Sequence, residues 1–142
     1  MSTVEERIAD FVGRRRWAVV GVSSDPAKFG YKVFATLLQA GYEVYGVNKR
    51  GDTVLGQRTY PTLADLPVLP EVVDLVVPPK VSEEIVRQCE ELGIKRVWMQ
   101  PGAESPAAIA FCEEHGIEAV WGVCAMVLHR TWPQEQAGGA PS

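Results

Sequence analysis

The stretch that decides the fold is WAVVGV at residues 17–22, followed by SSDPAKFG at residues 23–30. A continuous apolar run that ends in glycine is typical of a strand buried on both faces of a sheet. The Ser, Asp, Pro and Gly residues that follow it indicate a loop. Beyond the loop, apolar residues recur at helical spacing up to Gly41. This part of the chain therefore predicts a strand, a loop and a helix in succession.

The same unit recurs along the chain. Further strands are predicted at residues 42–48, 72–77, 96–100 and 117–122. Helices are predicted at residues 3–13, from Ser82 to Gly93, from Ser105 to Gly116 and at 125–132, with one helical turn at 62–66. The stretch 49–61 is predicted to be irregular, with a short edge strand near Val54. Strands that alternate with helices and are joined by right-handed crossovers predict an α/β fold. We expect a single Rossmann-like, doubly wound domain over residues 1–133, a parallel sheet of about five strands with helices on both faces, and a disordered tail at 134–142.

Composition excludes several classes of protein. The 142 residues fit one domain, and 14 Lys and Arg against 18 Asp and Glu give a net charge of −4, which argues against a strongly basic nucleic-acid binder. No apolar stretch approaches the roughly 20 residues of a membrane span, and the acidic N-terminus is unlike a signal peptide. Three cysteines without a C-x-x-C pair indicate free thiols in a reducing compartment and no zinc site. We therefore expect a cytoplasmic protein with neither a nucleic-acid nor a membrane partner.

Ligands of an open parallel sheet bind at the carboxyl ends of its strands. The segments that directly follow the predicted strands are Gly21–Tyr31, Val47–Arg50, Val77–Lys80, Gln100–Ala103 and Gly122–Cys124. These segments are the candidate binding site.

The first of these segments departs from the dinucleotide fingerprint G-x-G-x-x-G. Ser23 replaces the second glycine, and Gly30 comes several residues late. The longer loop carries two hydroxyls, Ser23 and Ser24, and Lys28, just before a predicted helix start. Backbone amides at a helix start, together with a lysine, suit a phosphate or pyrophosphate. The alternative is a polar connection that only initiates the helix.

The end of the second predicted strand bears on which nucleotide binds. A protein that binds NAD usually has an acidic residue there to hold the ribose diol, whereas this chain has Asn48, Lys49 and Arg50. Two cations without a carboxylate favour a ribose that carries an extra phosphate, as in coenzyme A or NADP. The alternative is a solvated turn.

Nucleophilic and acid–base residues are few. Cys124 follows the last predicted strand and precedes a predicted helix, which makes it the one candidate nucleophile, although a free cysteine is commonly a small buried hydrophobe. Cys89 and Cys112 are predicted in the core, His115 at a helix end and His129 in apolar packing. No catalytic constellation follows from these positions.

Several ordered segments carry a resemblance to a known family. They are GVSS at 21–24, KFGY at 28–31, GYEVYGVN at 41–48, VDLVVPP at 73–79, VWMQPGA at 97–103 and VCAMV at 123–127. Over residues 5–130 the chain resembles the small stand-alone CoA-binding domain proteins, which are similar to the CoA-binding domain of the succinyl-CoA synthetase α chain. The resemblance implies that Gly21, Ser23, Ser24, Lys28, Gly30 and Tyr31 cradle the pyrophosphate. It also implies that Asn48 and Lys49 flank the adenosine 3′-phosphate and that Val77, Pro78 and Pro79 line the adenine and ribose side.

The sequence thus predicts a protein that binds coenzyme A or an acyl-CoA as a carrier, sensor or partner subunit, with no catalysis of its own. Homo-oligomerisation stays open. Two alternatives stay open as well, an NADP-dependent oxidoreductase and an interaction module with a vestigial nucleotide pocket. The predicted ligand-binding residues are Gly21, Val22, Ser23, Ser24, Lys28, Gly30, Tyr31, Asn48, Lys49, Arg50, Val77, Pro78, Pro79, Gln100, Gly102 and Cys124.

Overall fold

A computed structural model of the chain describes residues 2–129. The strands are β1 (Arg16–Val20), β2 (Glu43–Val47), β3 (Thr53–Val54), β4 (Gln57–Tyr60), β5 (Val72–Leu75), β6 (Arg96–Met99) and β7 (Glu118–Trp121). The α-helices are α1 (Val4–Val12), α2 (Phe29–Gln39), α3 (Pro79–Leu92), α4 (Pro106–Glu114) and α5 (Ala125–Leu128), and a 3-10 turn covers Leu63–Asp65. The predicted tail at 134–142 and the end of the helix predicted at 125–132 lie outside the described residues. None of the helices between residues 2 and 129 is long and apolar enough to cross a membrane.

The strands form one sheet in the order β3-β4-β2-β1-β5-β6-β7. All neighbours pair in parallel except β3, which is antiparallel to β4. Strand β2 pairs with one side of β1, and β5, which comes later in the chain, pairs with the other side. This reversal of strand order puts a crevice at the carboxyl ends of β1, β2 and β5. The predicted Rossmann-like α/β fold is confirmed.

Helices cover both faces of the sheet, because side chains alternate along each buried strand. In β1, Ala18 and Val20 pack in the apolar layer that contains residues of α3 and α4. Trp17 and Val19 pack in the opposite layer, with residues of α1, α2 and α5. There the rings of Trp17 and Trp98 lie 5.8 Å apart between centroids. Burial on both faces explains why β1 from Trp17 onward is a continuous apolar run in the sequence and why β5 is apolar apart from Asp74.

Within residues 2–129 the sheet has seven strands rather than about five, because the stretch 49–61 forms β3 and β4. The edge strand predicted near Val54 is present as β3. Sequence periodicity misses β4 because only Thr59 of its four residues is buried, so no apolar run marks it. Parallel pairing of Gly46 with Thr59 nevertheless brings the end of β4 to the same edge as β2.

The prediction that Ser82 caps a helix is wrong. Helix α3 begins three residues earlier, at Pro79, with Pro78 at the cap position, and proline is favoured in the first turn because its missing N–H is not needed there. Ser82 is buried inside the helix, where its Oγ donates a hydrogen bond of 2.7 Å to the Ala103 carbonyl. By contrast, Ser105 caps α4 as predicted and accepts from the Ala108 N–H.

Candidate functional site

Two glycines set the shape of the connection after β1. A Cβ atom on Gly21 would lie 2.1 Å from the Val76 carbonyl oxygen, and Gly21 has a φ of +101°. A Cβ atom on Gly30 would lie 2.1 Å from the Gly21 carbonyl oxygen. Both positions therefore exclude a side chain. Glycine at these positions lets the first turn of α2 and the ends of β1 and β5 approach closely, as in nucleotide-binding α/β folds.

The loop from Ser23 to Lys28 is ordered by its own side chains. Ser23 Oγ accepts from the Asp25 N–H at 3.0 Å, and Asp25 Oδ1 accepts from the Ala27 N–H at 3.0 Å. Helix α2 then begins after Lys28, which is exposed and makes no side-chain cap. The first amides of α2 thus stand at the positive end of the helix without a side-chain cap, beside a lysine. Such a helix end is suited to an anion.

Asn48 joins the loops that follow β1 and β2. Its Nδ2 donates to the Val22 carbonyl at 2.8 Å, and its Oδ1 accepts from the Arg50 N–H at 2.7 Å. Both ends of the side-chain amide are used, so Asn48 fixes the shape of the rim. The turn that it holds presents Lys49 to the cleft described next and leaves Arg50 exposed.

A cleft of about 420 Å³ lies at the carboxyl ends of β1 and β2, against one side of α3. Its apolar walls include Val20, Val47, Leu63, Val77, Val81 and Ile85. Its charged lining residues are Lys49, at the end of β2, and Glu84, on α3. The cleft brings together the predicted site residues Gly21, Val22, Asn48, Lys49, Val77 and Pro78. An apolar slot with a few polar groups at its rim is the usual form of a small-molecule site.

A second cleft of about 250 Å³ adjoins the first, because both are lined by Val77 and Pro78. It continues along the same edge of the sheet to Pro101, Gly102 and Ala103, after β6. Gly102, another predicted site residue, therefore lies in this second cleft.

The remaining predicted residues line neither of these two clefts. Of these, Ser24, Lys28, Arg50 and Pro79 are exposed, Ser23, Tyr31 and Cys124 are half-buried, and Gly30 is buried.

Gln100 is completely buried. Its Nε2 donates to Asp74 Oδ1 at 2.7 Å, and its Oε1 accepts from the Ala125 N–H at 3.3 Å. The structure thus corrects the prediction for Gln100, because an amide with both ends bonded internally and no exposed surface offers a ligand no contact.

Asp74 is a buried carboxyl in the middle of the sheet, and among residues 2–129 its Oδ2 has no hydrogen-bond partner. Removal from water, only partly offset by the Gln100 hydrogen bond, raises the pKa of Asp74 to about 8. The buried thiols Cys89 and Cys112 belong to the core as predicted, and burial raises the pKa of both. Within the part of the chain that is described, no group of three or more His, Cys, Asp or Glu side chains is placed to hold a metal ion.

Sequence reasoning missed several lining residues. Pro61, Thr62 and Leu63 follow β4, and Glu84 and Gln88 project from α3. The one feature of the sequence that could have pointed to Thr62 and Leu63 is the helical turn predicted at 62–66. Because β4 was not predicted, nothing indicated that this turn lies at the carboxyl edge.

Comparison with known proteins identifies relatives of this chain. The family model of the CoA binding domain matches residues 15–130. The α subunit of the ADP-forming acetate–CoA ligase II of Pyrococcus furiosus is 38% identical over 88 residues, which are 61% of this chain and 19% of that protein. The corresponding ligase I α subunit is 34% identical over 86 residues, 56% of this chain and 19% of that protein. This chain thus matches about a fifth of the length of these curated relatives.

A solved structure agrees over a larger share of the chain. A hypothetical protein from Pyrococcus horikoshii OT3 superposes with a TM-score of 0.84 at 36% identity, covering 90% of each chain. The match of the family model over most of the domain, with the crevice at the switch point of the sheet, leads to one conclusion: this chain belongs to the CoA binding domain family.

Proposed function

We propose that the cleft between β1, β2 and α3 binds the adenosine part of coenzyme A or an acyl-CoA. The observation that carries the proposal is the end of β2, where Lys49 lines the cleft and Asn48 stands in place of the carboxylate that would hold an unmodified ribose. The apolar walls suit the adenine ring, and the uncapped start of α2 with Lys28 suits the pyrophosphate.

The 3′-phosphate is the group that Lys49 and Arg50 would recognise. The turn that holds them is fixed by the hydrogen bond between Asn48 Oδ1 and the Arg50 N–H. A phosphate monoester carries close to two negative charges at neutral pH, and two cations at the rim attract it. Because both cations are exposed, this attraction is screened by salt.

Binding, rather than ligation, is the activity that we propose for this chain. The chain matches about a fifth of the length of the ligase α subunits. It would either bind CoA for a partner subunit or act alone as a carrier or sensor. Its three free cysteines fit the reducing conditions of the cytoplasm.

Isothermal titration with CoA, dephospho-CoA, NADP and NAD tests the proposal. We expect CoA to bind most tightly, with a preference over dephospho-CoA of about 5–50-fold, or about 1–2.3 kcal/mol, that shrinks as salt rises. Replacing Lys49 and Arg50 together with alanine should remove this preference and leave dephospho-CoA affinity nearly unchanged.

Lys95→Ala is the matched control. Lys95 is an exposed cation just before β6, so it lies at the amino end of that strand, away from the carboxyl ends where the cleft lies. It should preserve the preference for CoA. Tighter binding of NADP than of CoA, or equal affinity for CoA and dephospho-CoA at low salt, would overturn the proposal.

A further inference from the structure

We infer that Glu84 and Gln88 of α3 recognise the base of the ligand, so that the first cleft accepts adenine and rejects guanine. The ligand class is then nucleotides that combine adenine with a 3′-phosphate. This inference rests on the proposed function, which places the adenosine in this cleft. It adds two selectivity residues on α3 that CoA binding alone does not require.

One face of α3 forms a wall of the first cleft. The residues of this helix that line the cleft are Val81, Glu84, Ile85 and Gln88. Because residues three or four positions apart are neighbours on a helix surface, these four side chains share one face of α3. Val81 and Ile85 supply apolar surface suited to a planar base. Glu84 and Gln88 add a carboxylate and an amide to the same wall.

The side chains of Glu84 and Gln88 are available to a ligand. Among residues 2–129 neither has a hydrogen-bond or ion-pair partner, and Lys49, which lines the same cleft, forms no ion pair with Glu84. By contrast, both ends of the Asn48 amide are bonded internally. The Thr62 hydroxyl likewise donates a hydrogen bond within its own turn. The hydrogen-bonding capacity of the α3 wall is therefore not used by the fold.

The charge of Glu84 indicates which ligand group it meets. CoA carries several phosphate charges, so a carboxylate in its binding cleft weakens binding unless it accepts a hydrogen bond from the ligand. Lys49, at the end of β2, suits a phosphate, whereas Glu84 stands on the α3 wall with the apolar side chains. The ligand group that fits there is an uncharged, planar one that carries a donor.

The donors and acceptors of these two side chains match adenine. A carboxylate only accepts hydrogen bonds, whereas a glutamine amide can also donate them. Adenine presents its 6-amino group as a donor beside ring-nitrogen acceptors, and guanine presents an oxygen acceptor at the same position. The Glu84 carboxylate would accept from the amino group of adenine and repel the oxygen of guanine. Gln88 would donate to a ring nitrogen of adenine.

Isothermal titration with adenosine 3′,5′-bisphosphate and guanosine 3′,5′-bisphosphate isolates the base, because the two compounds share the ribose and both phosphates. We expect the adenosine compound to bind at least about tenfold more tightly, as one hydrogen bond to a charged group would give. In Glu84→Gln the new amide can also donate to the guanine oxygen, so the preference should fall to about twofold or less. Gln88→Met removes the donor and should weaken the adenosine compound about threefold.

Glu90→Gln is the matched control for Glu84→Gln. It removes the same charge from an exposed position of α3 that lines neither cleft, so it should keep the preference for the adenosine compound. The ratio of the two affinities is the quantity compared, because a general change in the attraction of phosphates affects both compounds equally.

The outcomes separate this inference from the proposed function. If CoA itself fails to bind, the proposed function is wrong. If CoA binds while the two bisphosphates bind equally well, or if neither bisphosphate displaces CoA, base recognition by α3 is wrong and CoA binding stands. The same holds if Glu84→Gln keeps the full preference, or if Glu90→Gln lowers it as much. Unchanged binding in Gln88→Met would overturn the role of Gln88.

Discussion

Gly30 determines how closely α2 approaches the end of β1. It lies in the first turn of a helix, where alanine would ordinarily be preferred by about 1 kcal/mol, yet a Cβ atom there would lie 2.1 Å from the Gly21 carbonyl oxygen. The obstacle is backbone, which cannot move aside as a flexible side chain can. The same close approach shapes the candidate phosphate loop, so this residue links packing to the site.

Gly30→Ala should therefore lower the free energy of unfolding, by about 1–3 kcal/mol as expected for overpacking. Lys32→Ala also leaves an alanine side chain on α2, but at an exposed position, and should change the free energy of unfolding by less than about 0.5 kcal/mol. Urea denaturation of both variants measures the difference. A Gly30→Ala protein as stable as the unmodified one would show that the helix can move away from β1 at little cost.

Asp74 is the buried titratable group with the clearest consequence for stability. Its folded pKa of about 8 lies above its ordinary value of 3.8, because burial disfavours the carboxylate. The stability that it contributes is thus fully present below about pH 4 and is lost as the pH rises towards 8, because the unfolded chain releases the proton first.

Asp74→Asn should remove this pH dependence while keeping an oxygen acceptor for Gln100 Nε2. Relative to the unmodified protein, the variant should gain stability between pH 5 and pH 8, by up to about 1.4 kcal/mol per pH unit. The difference between the two unfolding curves isolates Asp74, since they share every other titratable group. A difference that stays constant with pH would mean that Asp74 is ionised in the folded protein.

The hairpin of β3 and β4 is the element where sequence patterning was least informative. The buried positions of these strands are Val54 and Thr59. The Thr59 hydroxyl donates a hydrogen bond to the Asp52 carbonyl. Strands of this kind depend on tertiary contacts, in this case parallel pairing with β2, which no local pattern reveals. Strands β1 and β5 were predictable because burial on both faces leaves a run that is apolar, interrupted in β5 only by Asp74.

The turn of this hairpin contains an unfavourable residue. Leu55 is 45% exposed and has a φ of +53°, and Gly56 follows with a φ of +74°. Two residues with positive φ between paired strands form a type of turn that favours Asn-Gly. Leu55→Asn should raise the unfolding free energy by about 0.5–1 kcal/mol, measured by urea denaturation. Glu91→Gln, a substitution at an exposed helical site, should leave it unchanged, and a loss of stability in Leu55→Asn would contradict the strain argument.

At the scale of the whole molecule, the side of the sheet formed by the amino ends of the parallel strands differs from the side formed by their carboxyl ends. These two sides are called the amino edge and the carboxyl edge. At the amino edge, ion pairs join Asp10 to Arg14 and Arg96, and Arg16 to Glu43, which ties α1 and the strand starts together. At the carboxyl edge lie both clefts.

Sequence reasoning placed five connecting segments at the carboxyl ends of the strands, because apolar runs mark the parallel strands that precede those segments. It could not find Glu84 or Gln88, because which side of α3 faces the cleft depends on how that helix packs.

The central claim is that CoA binds across the carboxyl ends of the strands, and amide chemical shifts recorded during a CoA titration test it most directly. We predict the largest changes at Gly21, Lys49, Val77 and Gly102, with little change at Trp17 and Arg96 at the opposite ends of β1 and β6. Changes concentrated at the amino edge, or none at saturating CoA, would contradict the account.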